Sequence, residues 1–201
     1  MFSDREQSLE PPPVIDAAEP AIPQPSPQPR SYRSGWILWF RDLSISAVAA
    51  FFIITFLYQP VRVEGISMLP RLEDEDRLFV NKFIYHFSNI ERGDVIVFRY
   101  PRDPQTSYIK RVIAIPGDHV WIDRGQVYVN GKPLAEPYVP EEYRDTRSFE
   151  ETTVPAEQYF VLGDHRSIAA DSREFGLVKR DLIYGKAAFI YWPRQDVGVV
   201  H

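Results

Sequence analysis

The chain has 201 residues, enough for one anchor and one modest domain, and its 28 acidic against 23 basic side chains leave a charge of −5 that argues against a nucleic-acid partner. There is no cysteine, which excludes disulfides and thiolate chemistry. His86, His119, His165 and His201 show no metal-ligand spacing, so neither a metal nor another cofactor is expected.

Residues 1–33 carry Pro11, Pro12, Pro13, Pro20, Pro23, Pro25, Pro27 and Pro29 and few large apolar side chains. Such a tract buries too little surface to offset its ordering entropy, and it reads as a disordered, partly polyproline-like tail. A ligand for a PxxP-reading domain is the alternative. Residues 34–59 follow as a candidate transmembrane anchor. The uninterrupted apolar run, Leu43 to Tyr58, is 16 residues, short of the roughly 20 a spanning helix needs. Trp36 to Phe40 extend it, interrupted by Arg41 and Asp42. Arg41 can reach the headgroups, and tryptophans suit an interface. A buried core helix is the competing reading, but few soluble helices are apolar on every face. No small-residue cleavage site follows Tyr58, so the segment reads as an uncleaved anchor. Orientation stays open on charge: Arg30, Arg33 and Arg41 precede the run, and Arg62, Arg71 and Arg77 follow it.

Residues 60–201 read as a mostly β, antiparallel domain. Short β-branched and aromatic runs at 77–85, 94–100, 108–115, 119–122, 126–129, 158–162 and 182–192 are punctuated by Gly and Pro. Asn130-Gly131 signals a hairpin. The stretch 133–155 shows no strong pattern and reads as a surface excursion.

Two side chains could do chemistry. Strand alternation puts Lys110 beside Tyr108, Val112 and Ala114, where desolvation would lower its pKa toward a usable base. An edge lysine with its head in water fits the same pattern. Ser67, in the stretch GISMLP, is a turn or cap serine unless a base stands beside it. His165 with Asp164 or Asp171 could in principle form a triad, although its place in a tight GDHR turn favours a hydrogen-bonding role.

The joint pattern is sharper. SMLP after an anchor, RGDVIVFRYP at 92–101, YIKRVIAIPGD at 108–118 and GDHRSIAADSREFG at 163–176 occur in this order. Together, over about residues 55–192, they resemble the bacterial type I signal peptidases, membrane-bound serine proteases with a Ser-Lys dyad. The resemblance implies Ser67 as nucleophile, Lys110 as general base, and a structural ion pair between Asp171 and Arg173, with Asp164 as a further structural residue. It implies a barrel-like β domain on the extracytoplasmic side of a bacterial cell membrane, held by a single span, with the tail in the cytoplasm. The implied partners are signal-peptide-bearing preproteins cut after A-x-A-like sites, the lipid bilayer, and an export translocon nearby. Two departures stand out. His165 replaces the family's Asn, and Ala169 replaces a Ser that orients the lysine, so a water or another hydroxyl must take that role or activity falls. Gly65 stands where some members carry a second oxyanion hydroxyl, and Arg71 where Thr is usual.

Ser67 lies only eight positions after Gln59, at most about 26 Å of extended chain, so the hydroxyl is expected near the membrane surface. Phe83, Tyr85 and Phe87 could rest on lipid or pack in the core. Two non-enzymatic readings remain: a relative that binds export substrates without cutting, and a tethered β domain with a structural role.

Overall fold

The computed structural model describes residues 33–200, with Arg33 and Ser34 described in backbone only. The expected tail at 1–33 therefore lies outside the described residues, save for Arg33 itself. Among the described residues the chain divides into two units between Ser44 and Ile45, inside its first helix.

That helix, α1 (Arg33–Leu57), runs unbroken through the Arg41–Asp42 interruption. The two charges pair with each other at 2.8 Å, and both side chains are exposed, so the pair contributes little to stability. Gly35–Leu57 is long and apolar enough to cross a membrane, and none of its window is buried inside the structure.

The rest is β. The strands are β1 (Tyr58–Arg62), β2 (Arg77–Asn81), β3 (Val95–Tyr100), β4 (Asp103–Ala114), β5 (His119–Asp123), β6 (Gln126–Val129), β7 (Lys132–Pro133), β8 (Phe149–Thr153), β9 (Gln158–Leu162), β10 (Val178–Lys179), β11 (Ile183–Trp192) and β12 (Gly198–Val199). Two short helices join them, α2 (Ile84–Phe87) and α3 (Ser172–Phe175). The large sheet runs β1-β2-β11-β3-β4-β9-β10, with β12 on β11, and a small sheet runs β7-β6-β5-β8. Every pairing described is antiparallel. Asn130 and Gly131 both take positive φ (53° and 79°), the geometry of a two-residue hairpin joining β6 to β7.

Two expectations are corrected. The run 77–85 is not one strand: after Asn81 its side-chain carboxamide oxygen accepts from the N–H groups of Phe83 and Ile84, which starts α2. The stretch 133–155 is not featureless, since it contains β8, paired with β5. The aromatics at and just before α2 divide: Tyr85 is buried, while Phe83 and Phe87 are exposed.

Strand β3 explains how the core is divided. Val95, Ile96, Val97 and Phe98 are all buried, so this strand is covered on both faces. Val95 and Val97 join Met68, Leu72, Leu78, Val80 and Ile190 in one apolar cluster. Ile96 and Phe98 join Val112, Val161 and Ile183 in a second. A third, with Ile113, Val120, Val127, Phe160 and Leu162, ties the end of β4 to the small sheet. Met68 and Leu72 flank the serine loop, and burying two such side chains contributes roughly 2–3 kcal/mol each toward holding it in place.

Candidate active site

The serine loop leaves β1, turns at Gly65, and re-enters the core at Met68. Gly65 has φ +94°, a conformation in which any side chain is strained, and its N–H donates to Asp74 Oδ1 at 2.7 Å. Ile66 points outward and Met68 inward, which leaves Ser67 half-buried at the rim. The turn is closed by Arg71 and Leu72 N–H groups donating to Met68 O, both at 3.0 Å.

Lys110 comes from β4, opposite Ile96 of β3. It is buried (4 % exposed), and its Nζ lies 2.7 Å from Ser67 Oγ and 3.0 Å from Ile109 O. The edge-lysine reading thus does not describe this side chain. Burial in apolar surroundings lowers its pKa from 10.5 to about 8, against the opposing pull of Asp171 and Asp164. Near pH 8 a large share of such an amine is neutral, and a neutral amine in contact with a hydroxyl can accept its proton. The two groups face a cleft of about 640 Å³ lined by residues 61–68 and 105–110, with Val97 and Ala170.

Behind the pair lies the segment 163–173. Gly163 packs directly on the serine loop: a Cβ there would sit 2.6 Å from Ser67 O and 2.3 Å from the Ala169 Cβ. His165 N–H donates to Ser67 O at 3.1 Å, and its ring Nδ1 lies 3.3 Å from Ile66 O. His165 contacts carbonyls of the serine loop rather than completing a triad. Asp164 grips Arg111, the residue after Lys110, through two hydrogen bonds of 2.8 and 2.6 Å. Burial nonetheless holds the Asp164 carboxyl above its usual range, so this pair fixes position more than it adds stability. Asp171 accepts from Arg173 at 2.8 and 2.6 Å, with both side chains largely buried, so the pair is not a plain surface contact.

Ala169 is buried, and the lysine head group is held instead by the carbonyl of Ile109 on its own strand. The expectation was a water or another hydroxyl in that role, or reduced activity; the contact described beside Ser67 is the main-chain carbonyl of Ile109. Sequence reasoning missed Glu136, which makes a buried two-point pair with Arg166 (Nη1 to Oε2 2.9 Å, and Nη2 to Oε1). Tyr138 stacks over Arg111 at 4.1 Å, and Asp145 accepts from Arg173 at 2.8 Å. All three come from the stretch that lacked a pattern, and a buried acid in a loop has no periodicity by which to find it. Among the described residues no cluster of three or more metal-binding side chains occurs.

The family model described as "Signal peptidase, peptidase S26" matches residues 36–192. A signal peptidase I of Bacillus amyloliquefaciens is 36 % identical over 168 residues, 79 % of this chain and 86 % of that protein. One of Leptolyngbya laminosa is 36 % identical over 202 residues, 96 % of this chain and 95 % of that protein. A crystal structure of a signal peptidase I from Enterococcus faecalis shares 33 % identity over 50 % of this chain and 98 % of that one, with a TM-score of 0.45. With a match over most of its length and relatives above 30 % identity along most of theirs, the chain belongs to the signal peptidases, peptidase family S26, serine endopeptidases that remove signal peptides.

Proposed function

We propose that Ser67 and Lys110 are the catalytic pair of this signal peptidase. The observation that carries the reading is the contact of 2.7 Å between a buried lysine amine and a serine hydroxyl at the rim of a cleft. The neutral amine takes the Ser67 proton as Oγ attacks the substrate carbonyl. The ammonium so formed returns that proton to the leaving amine as the C–N bond breaks. Water, deprotonated by the same amine, then cleaves the acyl ester and restores both groups. The Ser67 N–H is the oxyanion donor. Asp164, Asp171 and Arg173 hold the framework behind the pair.

The substrate is a preprotein whose extended chain, A-x-A before the cut, lies in the cleft. Residues 107–109 of β4 pair with β3 on one side only, because β9 begins pairing at Arg111. A peptide can therefore add as a strand along that free edge. Residues 34–59 anchor the chain in a bacterial cell membrane with residues 1–33 in the cytoplasm. Residues 60–201 work outside it, against the lipid surface and close to the export translocon.

The test is cleavage of a signal-peptide substrate in detergent. Ser67→Ala and Lys110→Ala are each expected to abolish it, and retained cleavage in either would overturn the assignment. The base must be uncharged to act, so kcat/KM is lost as pH falls through about 8. A rate flat from pH 6 to pH 10 contradicts that role. Ala169 favours a second reading, a relative that binds export substrates without cutting, and a wild type inert toward every such substrate would select it.

A further inference from the structure

We propose that His165 is a positioning residue that aims the Ser67 N–H into the cleft. The inference rests on the dyad reading above and adds to it the means by which the oxyanion donor is held. The carbonyl of Ile66 and the N–H of Ser67 belong to one peptide unit. That unit is planar and trans, so its C=O and N–H point in opposite directions and turn together. A donor that fixes the carbonyl fixes the N–H.

His165 stands on the carbonyl side of this unit, with ring Nδ1 3.3 Å from Ile66 O. At this contact the Nδ1–H tautomer donates. Leu69 N–H, also 3.3 Å away, is the other donor to the same oxygen. The next peptide unit is held as well, by His165 N–H to Ser67 O at 3.1 Å. One residue thus grips the carbonyls on both sides of the nucleophile. Its ring is held by Tyr143, edge to face at 4.6 Å between centroids. Among the described residues the Ser67 N–H itself has no acceptor, so it is available to a substrate oxygen. A hydrogen bond received by the carbonyl also polarises the N–H at the other end of the same amide.

A donor three bonds from Cα suffices for this role, because Asn Nδ2 and His Nδ1 are separated from Cα by the same two atoms. Leu has the shape of Asn without the donor, and Phe keeps a ring against Tyr143 without the donor. The full chain in detergent, with a soluble A-x-A peptide, separates these properties. His165→Asn is expected to keep kcat within about threefold of wild type. His165→Leu and His165→Phe are expected to lose roughly tenfold in kcat with KM within about twofold, a fraction of the loss that follows removal of an oxyanion donor. Unfolding midpoints are recorded for each variant; should Phe not fold, the Asn–Leu comparison decides. Equal kcat in the Asn and Leu variants, or a loss carried by KM, overturns the role of His165. Ser67→Ala is assayed alongside: cleavage in that variant sinks the dyad reading, whereas an inert Ser67→Ala with an unimpaired His165→Leu sinks only this one.

Discussion

Gly163 is the residue on which the geometry behind Ser67 turns. With no side chain it lets the 163–173 segment lie against the Ser67 carbonyl, where a methyl group would stand 2.6 Å from that oxygen. Main-chain oxygen cannot yield as a flexible side chain would, so Gly163→Ala must push the serine loop toward the cleft. The expected result is a loss of at least about a hundredfold in kcat, read in a peptide cleavage assay, since small misplacements of reacting groups are this costly. Lys110 shows the opposite conflict, between its proposed role and stability. Its amine is depressed to about 8 in the folded protein from 10.5. The unfolded chain therefore binds more protons, and the cost of burial is fully present below pH 8 and gone above 10.5. Lys110→Met is expected to be inactive yet more stable by about 2–3 kcal/mol at pH 7. The difference should shrink as pH rises from 8 to 10.5, as thermal unfolding at several pH values would show.

At the scale of elements, the connection between β7 and β8 braces the site from behind. Glu136, Tyr138, Tyr143 and Asp145 from this connection meet Arg166, Arg111, His165 and Arg173 in turn. The Glu136–Arg166 pair is almost fully buried, at 1 % and 3 % side-chain exposure. Removing one partner leaves an uncompensated charge in the interior, so Glu136→Ala is expected to cost about 3–5 kcal/mol in chemical denaturation. Arg166→Met in the same chain should recover more than half of that, because the stranded charge is gone. If the double variant is as unstable as the single, the cost lies in packing instead. The connection was opaque in the sequence because ion pairs carry no period: an acid at 136 is read as surface until an arginine from 166 is seen to enclose it.

For the whole molecule, all three apolar clusters draw on residues 61–200, and the sheet begins at Tyr58. A chain lacking residues 1–57 is therefore expected to keep its unfolding midpoint within a few degrees and to cut a soluble peptide. Loss of cooperative unfolding would show that α1 belongs to the folding unit. An apolar helix long enough to cross a membrane, the β class, the hairpin at Asn130-Gly131 and the ordered motifs around Ser67 and Lys110 were legible from the chain alone. Apolar length, two-residue alternation and turn chemistry are local properties, written in neighbouring residues. The state of Lys110 was not legible, since an edge lysine and a buried one share one strand pattern. Only tertiary packing separates them: Ser67 arrives 43 positions away, β3 covers one side, and the loss of water lowers the amine's pKa. What His165 grips and what Glu136 neutralises were decided in the same way, by contacts between residues distant in the chain, whose energies depend on burial.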